Sequence, residues 1–555
     1  MSLPENKKDR AIAWGLFAAT WLVGSSLLWF GGKTLSSPDE TAVLITAKHM
    51  ASAYNGALEE PLVAQAGWLH PRSWVSQGEV IVPVGFLGWP WVLSLFIIIF
   101  GTALTKWVSV GIAASIVPAM YVLLRKAFSR PGSLLGILVL LCYPPFQLYL
   151  NRSLFPNPSI IAAVLWLTYA MQSNTKLDTN STQLEKRSVI AKYFVSGVLF
   201  ALICIIRPIE LFWIGPWLLG VLAAQGHLTK KSLRSLLRQK TPLCAVIAGL
   251  MIVLLPMGII TTRTYGAPWR IGYFLRDNSV SLVGTDQIVS EQKGQSVVSL
   301  FAFGVHPRNI WWNIKSFALG YALPWTIVLT VISLYYLSPW IQVSIKYRKK
   351  LRSVWKEIVL PDYRFIAAAL GLGLLVAYYG NGLYQDHIRP GSITVGNSFL
   401  RYLLPVALLS AWAVAWCFDR IDKQYQKALI IFVACVSLFG GYHAILGDDE
   451  AIVSVIRSTR LNDQTREKTA EVLPQGAIVF SDRSDKIFFP DYRAVSPMPP
   501  IEQISKALEQ IDTPSAYYSR PLSQKQKDEW RAQGMQLEEL FAFDRFVLYR
   551  IQYLR

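Results

Sequence analysis

The sequence predicts an α-helical polytopic membrane protein with a small C-terminal α/β domain outside the membrane. An excess of apolar residues, apolar runs of spanning length and basic residues gathered between those runs together predict it. Of 555 residues, 53% are hydrophobic and only 16% charged, outside the usual range of soluble domains. A bilayer-crossing helix needs about 20 apolar residues. Such runs cover residues 11–30, 106–124, 133–150, 158–171, 192–206, 209–225, 243–260, 316–338, 365–379, 399–418 and 428–446, about eleven transmembrane helices. The net charge of +19 falls mainly in short loops between them. Basic clusters stand at Arg125/Lys126/Arg130, Lys186/Arg187/Lys192, Lys230/Lys231/Arg234/Arg238/Lys240, Lys346/Arg348/Lys349/Lys350/Arg352 and Arg420/Lys423/Lys427. That placement marks a cytoplasmic membrane face and argues against a nucleic-acid partner.

With the N-terminus in the cytoplasm, this number of crossings keeps every basic cluster inside and puts the C-terminus outside, as in a multi-pass plasma or inner membrane protein. The first run follows Lys7, Lys8 and Arg10 and is longer than a signal-peptide core, so it reads as a retained anchor. The run at 80–101 is also long enough to cross, but a crossing there would invert every later basic loop. Its Pro83, Gly85, Gly88 and Pro90, beside Trp89 and Trp91, predict a broken segment, re-entrant or lying in the interface. Three outer segments remain, at 31–105, 261–315 and 380–398. Within the first, residues 41–54 have the apolar spacing of an amphipathic helix resting on the membrane.

From residue 447 the composition is that of a soluble domain. Strands are expected at 476–481 and 545–551, and helices at 501–511 and 522–533. The chain therefore divides into a membrane domain, 1–446, holding the long first outer loop at 31–105, and an extracytoplasmic α/β domain, 447–555. The five cysteines lie in or at the ends of apolar runs, with no metal-type spacing and no disulfide framework.

The candidate chemistry begins at Ser37-Pro38-Asp39-Glu40, just beyond the first crossing. Pro38 suits the first position of a helix, and Asp39 serves equally as that helix's cap or as a reactive carboxylate. His70-Pro71-Arg72 follows in the same loop. Tyr149-Leu150-Asn151-Arg152 closes the third crossing, and Arg207-Pro208-Ile209-Glu210 occupies the next outward turn. Arg263 and Arg270 lie in TTRTYGAPWRIGY at 261–273, and Arg401 in NSFLRYLLP at 397–405. Ionisable groups at helix ends mark a functional cavity when they cluster, although a single Arg there can simply snorkel to the interface. Trp311-Trp312 reads as part of an aromatic belt. Asp482 and Asp485, flanking Arg483, read as a solvated turn.

Taken together, these motifs resemble the GT-C glycosyltransferases, and within them the protein O-mannosyltransferase and aminoarabinose-transferase branch. The likeness runs from residue 10 to about 446. It rests on the Asp39-Glu40 pair, the His-Pro segment with the Gly/Pro-rich run after it, Tyr149-x-x-Arg152, Arg263-Thr-Tyr-Gly-Ala-Pro with Gly272-Tyr273, and Arg401-Tyr402-x-x-Pro405. The resemblance implies an inverting transferase moving a sugar from a polyprenyl-phosphate donor to a hydroxyl on a protein, lipid or envelope glycan. It implies Asp39 as the base, with Glu40 orienting a hydroxyl or pairing with an arginine. The donor phosphate would meet His70, Arg72, Arg152, Arg263, Arg270 and Arg401, and the substrates Tyr149, Tyr273 and Tyr402. The forked guanidinium matches phosphate geometry and keeps its charge when desolvated, so no metal or other cofactor is expected. The alternative from another class is a flippase that moves polyprenyl-linked sugars without bond chemistry; it calls for polar groups near the bilayer midplane. A catalytically inert scaffold is the third reading.

Overall fold

The computed structural model describes residues 6–172, 183–224, 240–275, 304–331, 334, 363–384 and 392–554. All eleven apolar runs fall on helices within these limits. Among the described residues, five helices are long and apolar enough to cross a membrane: Lys7–Phe30, Gly88–Arg125, Arg187–Ile206, Lys240–Tyr265 and Lys423–Leu446. Two further runs are bent pairs, Arg130–Leu141 with Pro144–Asn151 at 69° and Pro307–Tyr321 with Leu323–Val331 at 95°. The first bend has a local cause: Tyr143 precedes Pro144-Pro145, and the proline ring bars it from helical backbone, leaving ψ at 115°. Pro208–Ala224 and Ala367–Tyr379 are shorter apolar helices. Among the described residues the count of clear spanning helices is thus smaller than the number of apolar runs, because some runs bend and others reach the limits of the described residues. The protein is an integral membrane protein. The basic clusters at 230–238 and 346–352, and much of the outer segment at 261–315, lie outside the described residues.

The segment at 80–101 differs from its expected form. Residues Val80–Pro83 are a strand, and the helix that begins at Gly88 runs on through Arg125. The break inside it is at Gly101, where φ is 73° and ψ 168°, a backbone state open to glycine and closed to most L-residues.

The chain forms two compact units. A helical unit comprises Met1–Ser25, Ser109–Leu254 and Gly294–Ile452; a sheet unit comprises Ser26–Val108, Leu255–Lys293 and Val453–Arg555. In the helical unit, Trp325 donates its indole N–H to the Val139 carbonyl (3.0 Å), and the Ser109 and Ser153 hydroxyls meet at 2.8 Å.

The sheet unit holds two sheets. The first long loop supplies β1 (Leu58–Glu59), β2 (Trp74–Gln77) and β3 (Val80–Pro83), antiparallel in the order β1-β3-β2. The C-terminal region supplies β4 (Ile478–Ser481), β5 (Arg493–Val495), β6 (Ser515–Ser519), β7 (Met535–Phe543) and β8 (Phe546–Tyr553). Their order is β5-β4-β6-β8-β7, with β4 parallel to β5 and β6 and the remaining pairs antiparallel. The expected helices appear as Ile501–Leu508 and Gln524–Ala532, the latter opened by a Ser523/Gln526 capping box.

One apolar core serves both sequence regions. Ala42, Val63, Leu69, Trp74 and Ile81 are buried with Phe480, Phe488, Tyr518 and Leu548. Trp68 lies 5.8 Å from Phe480 and Trp74 5.5 Å from Phe489, ring centre to ring centre. The composition change near residue 447 marks where soluble character begins, but the compact body also takes in the first long loop.

Candidate active site

In the sheet unit, the helix Pro38–Ala53 carries Asp39 and Glu40 in its first turn. Ser37 is the cap: its extended backbone turns its hydroxyl toward the Asp39 N–H at 3.3 Å, and Pro38 opens the helix. Asp39 is therefore not the cap, and its carboxylate points elsewhere. It is exposed, and its Oδ1 accepts a 2.6 Å hydrogen bond from the Ser73 hydroxyl. Helix N-terminal partial charge favours a carboxylate in this turn. Glu40 is buried; it accepts from the Ser36 hydroxyl at 2.8 Å and feels Lys106 as a neighbouring charge, where an arginine was the expected cation.

Ser73 was not singled out from the sequence, and its backbone is unusual. Its φ of 67° is left-handed, a state that costs a non-glycine residue on the order of 1 kcal/mol. Both flanks hold it there. On one side, Val84 donates its N–H to the Ser73 carbonyl at 2.9 Å. On the other, Arg72 is committed to Asp485: its backbone N–H reaches Oδ2 at 2.9 Å, and its Nε and Nη2 reach Oδ1 at 2.9 and 2.7 Å. Nη2 also donates to the Arg483 carbonyl at 2.6 Å. Arg72 is thus an internal ion-pair partner in place of the expected phosphate ligand. Asp485, 1% exposed, is likewise no solvated turn, since burial of a carboxylate requires such a partner. His70 Nδ1 lies 3.1 Å from the Pro71 carbonyl, and the His70 carbonyl accepts from the Ser496 N–H at 3.3 Å.

The segment after the helix Lys240–Tyr265 docks on the first-loop sheet. The Tyr265 hydroxyl is within 2.8 Å of the Pro83 carbonyl and 3.1 Å of that of Gly85. Gly272 packs so closely that a Cβ there would collide with the Pro83 carbonyl oxygen and the Val84 Cα. This explains the Tyr-Gly-Ala-Pro and Gly-Tyr motif as a tie between two chain segments. Arg263 and Arg270 are exposed, Arg270 donating to the Tyr265 carbonyl at 3.2 Å; Tyr273 is exposed beside Phe86, 5.6 Å away.

The helical unit gathers a second group. Arg152, Arg207 and Arg401 are all buried. The Phe155 ring faces the guanidinium carbons of both Arg152 (4.9 Å) and Arg401 (4.5 Å). Arg401 also donates to the Ser398 and Tyr402 hydroxyls, each at 3.2 Å. Tyr402 stacks on Tyr379 at 3.8 Å, and Arg207 lies over Tyr402 at 4.8 Å. Arg207 donates to Asn157 Oδ1 (3.2 Å) and the Tyr379 hydroxyl (3.1 Å), with its Nε 3.4 Å from Glu210 Oε1. Glu210 accepts in turn from Tyr379 (2.8 Å) and the Trp213 indole (2.5 Å). Guanidinium groups against aromatic faces keep their charge while shedding water, the state in which they bind an anion most strongly. Tyr149, an expected substrate contact, is instead buried, donating to the Gly396 carbonyl at 2.8 Å and packed on Phe155 at 5.4 Å.

Among solved structures, the chain is similar to ArnT from Cupriavidus metallidurans in the apo state, with a TM-score of 0.55, 11% identity and 98% of each chain covered. It is similar to the same organism's ArnT bound to undecaprenyl phosphate, with a TM-score of 0.52, 10% identity and 97% of each chain covered. The archaeal oligosaccharyltransferase AglB from Archaeoglobus fulgidus, in complex with an inhibitory peptide and a dolichol-phosphate, gives a TM-score of 0.50 at 12% identity, over 95% of this chain and 71% of that one. The chain has a GT-C fold. The sequence matches no protein-family profile and no curated protein.

The sequence names Asp39, Glu40, Arg152, Arg401 and Tyr402 as candidates and singles out Arg207 and Glu210 beside them. It gives no prominence to Ser73, Phe155 or Tyr379, which the structure places against those candidates. Phe155 had a faint signal, three residues beyond Arg152; Tyr379 ends an apolar run and had none. Among the described residues, no three His, Cys, Asp or Glu side chains gather as a metal-holding group.

Proposed function

We propose that this protein is an inverting glycosyltransferase that moves a sugar from a polyprenyl-phosphate donor to an acceptor hydroxyl on a protein, lipid or envelope glycan at the outer membrane face. The observation that carries this reading is an exposed carboxylate, Asp39, aimed by the Ser73 hydroxyl in the first long loop of a GT-C fold. The undecaprenyl phosphate bound to ArnT and the dolichol-phosphate bound to AglB support a lipid phosphate as the sugar's carrier.

In the proposed step, the Asp39 carboxylate takes the proton of the acceptor hydroxyl. The acceptor oxygen forms a bond to the anomeric carbon as the bond from that carbon to the phosphate oxygen breaks, and the electron pair departs with the lipid phosphate. Attack opposite the leaving group inverts the configuration. A phosphate leaving group is a weak base and needs cationic stabilisation more than a proton. We assign that role to Arg152 and Arg401, with the exposed Arg263 and Arg270 and the imidazole of His70 as further contacts to the donor, and we assign no metal. Tyr402 and Tyr273 are the proposed substrate-facing aromatics.

The test compares envelope lipids, proteins and glycans by mass spectrometry in cells carrying the wild-type chain, no chain, or Asp39→Asn. A product one sugar heavier is expected with the wild type alone, with transfer by the variant down by about 10²–10⁴-fold. Equal product from Asp39→Asn overturns the assignment of the base. No sugar-bearing product from the wild type, together with lipid-sugar movement across the bilayer, favours the flippase.

A further inference from the structure

We propose that Asp485, in the C-terminal domain, is a positioning residue for the Asp39 carboxylate, acting through Arg72 and Ser73; this rests on Asp39 being the base assigned above. Asp485 is buried and binds Arg72 through both backbone and side chain, so it fixes the residue immediately before Ser73 in position and in direction. Ser73 then holds a left-handed φ of 67°, and its hydroxyl meets Asp39 at 2.6 Å. With Arg72 released from Asp485, the Ser73 backbone would relax to negative φ, swinging the hydroxyl away from Asp39.

The same domain also grips the chain leading into the Asp39 helix. Asp463 accepts the backbone N–H groups of Lys33 (2.5 Å) and Thr34 (2.8 Å), and the Lys486 ammonium donates to the Ser36 carbonyl at 2.6 Å. Gly32 donates its N–H to the Thr459 hydroxyl at 2.9 Å. Asp39 is therefore fixed from both sides of its loop by residues at the far end of the sequence. Placement on this scale matters, since a shift of about 1 Å in a reacting group costs on the order of 10²-fold in rate.

The experiment measures sugar transfer by full-length protein in native membranes, which supply donor and acceptor, for Asp485→Ala, Ser73→Gly and the double variant. Ser73→Gly accommodates the left-handed backbone without strain and removes the hydroxyl with its methylene. Each single variant is expected to lower the maximal rate by about 10–100-fold at unchanged donor KM, with the double variant no slower than the worse single one. Asp485→Glu, which keeps the charge, is expected to recover part of the loss. A rate within twofold of wild type for Asp485→Ala, losses that multiply in the double variant, or a raised donor KM each overturn the proposal. Should Asp485→Ala fail to fold, Ser73→Gly with wild-type turnover overturns it by itself. Asp39→Asn run alongside separates the two ideas: full activity there removes the base and the positioning role with it, whereas loss there beside a fully active Asp485→Ala removes the positioning role alone.

Discussion

The helical unit and the C-terminal sheet of the other unit arrange the same residue types in opposite ways. In the helical unit large aliphatic side chains face outward, with Leu438 76% exposed, while Arg152, Arg207, Arg401 and Glu210 are buried. In the C-terminal sheet of the other unit, β4 to β8, the large aliphatic and aromatic side chains are mostly inside, with Phe480 0% exposed, and most of the charges are at the surface. The difference teaches that the helical unit and the C-terminal sheet are built for different solvents. Lipid tails are as apolar as leucine, so burial of a leucine within a bundle gains little over contact with lipid. In water the same burial drives folding.

Phe480→Ala and Leu438→Ala test this contrast most severely. The first removes a fully buried ring and is expected to cost the sheet unit about 3–5 kcal/mol, whereas the second trades protein surface for lipid contact and should leave stability nearly unchanged. Urea unfolding in detergent, followed by protease access to the C-terminal domain, reads both. Comparable losses would break the comparison.

Charge inside the helical unit gives the next effect. Arg152→Ala and Arg401→Ala are each expected to weaken binding of undecaprenyl phosphate by about 1.5–3 kcal/mol, the range for hydrogen bonds to charged groups. Titration of the purified protein with that lipid measures it, and unchanged affinity in both variants removes the phosphate assignment. A smaller loss is expected from Gly272→Ala, which forces the new methyl against the Pro83 backbone. Overpacking of this kind costs about 1–3 kcal/mol, and earlier proteolysis of the first long loop would report it. The least effect belongs to Arg493→Ala. Its 3.0 Å pair with Glu60 is partly open to water, so a cost below about 1 kcal/mol that shrinks in high salt is expected from the same unfolding measurement.

The sequence disclosed the helices well because each apolar run carries its own signal over many residues. The Asp39 helix was legible for a similar reason: Ser37-Pro38-Asp39 is a local start signal followed by helical spacing. The C-terminal sheet was only half legible. β4 is an apolar run, but β7 (MQLEELFAF) has the composition of a helix and becomes a strand through its pairing with β8. The site residues divide in the same way. Arg401 and Tyr402 stood out as a charge beside an aromatic at a helix start, whereas Ser73 and Asp485 acquire their contacts only through partners distant in sequence. Arg72 was misassigned for that reason, because its carboxylate lies 413 positions away. Tyr149 matched a motif, but its buried hydroxyl bond to Gly396 could not be read from the residues around it.

That separation has a consequence for biosynthesis. Ribosomes add about 5–20 residues per second, so Arg72 waits roughly 20–80 s for Asp485 to be made. Through that interval Trp68 and Trp74 lack the aromatic neighbours that will cover them. A nascent chain halted before β4 would leave those indoles uncovered, open to lipid, chaperone or protease, and quality control of this protein would act at its first loop although the lesion lay in its C-terminal region.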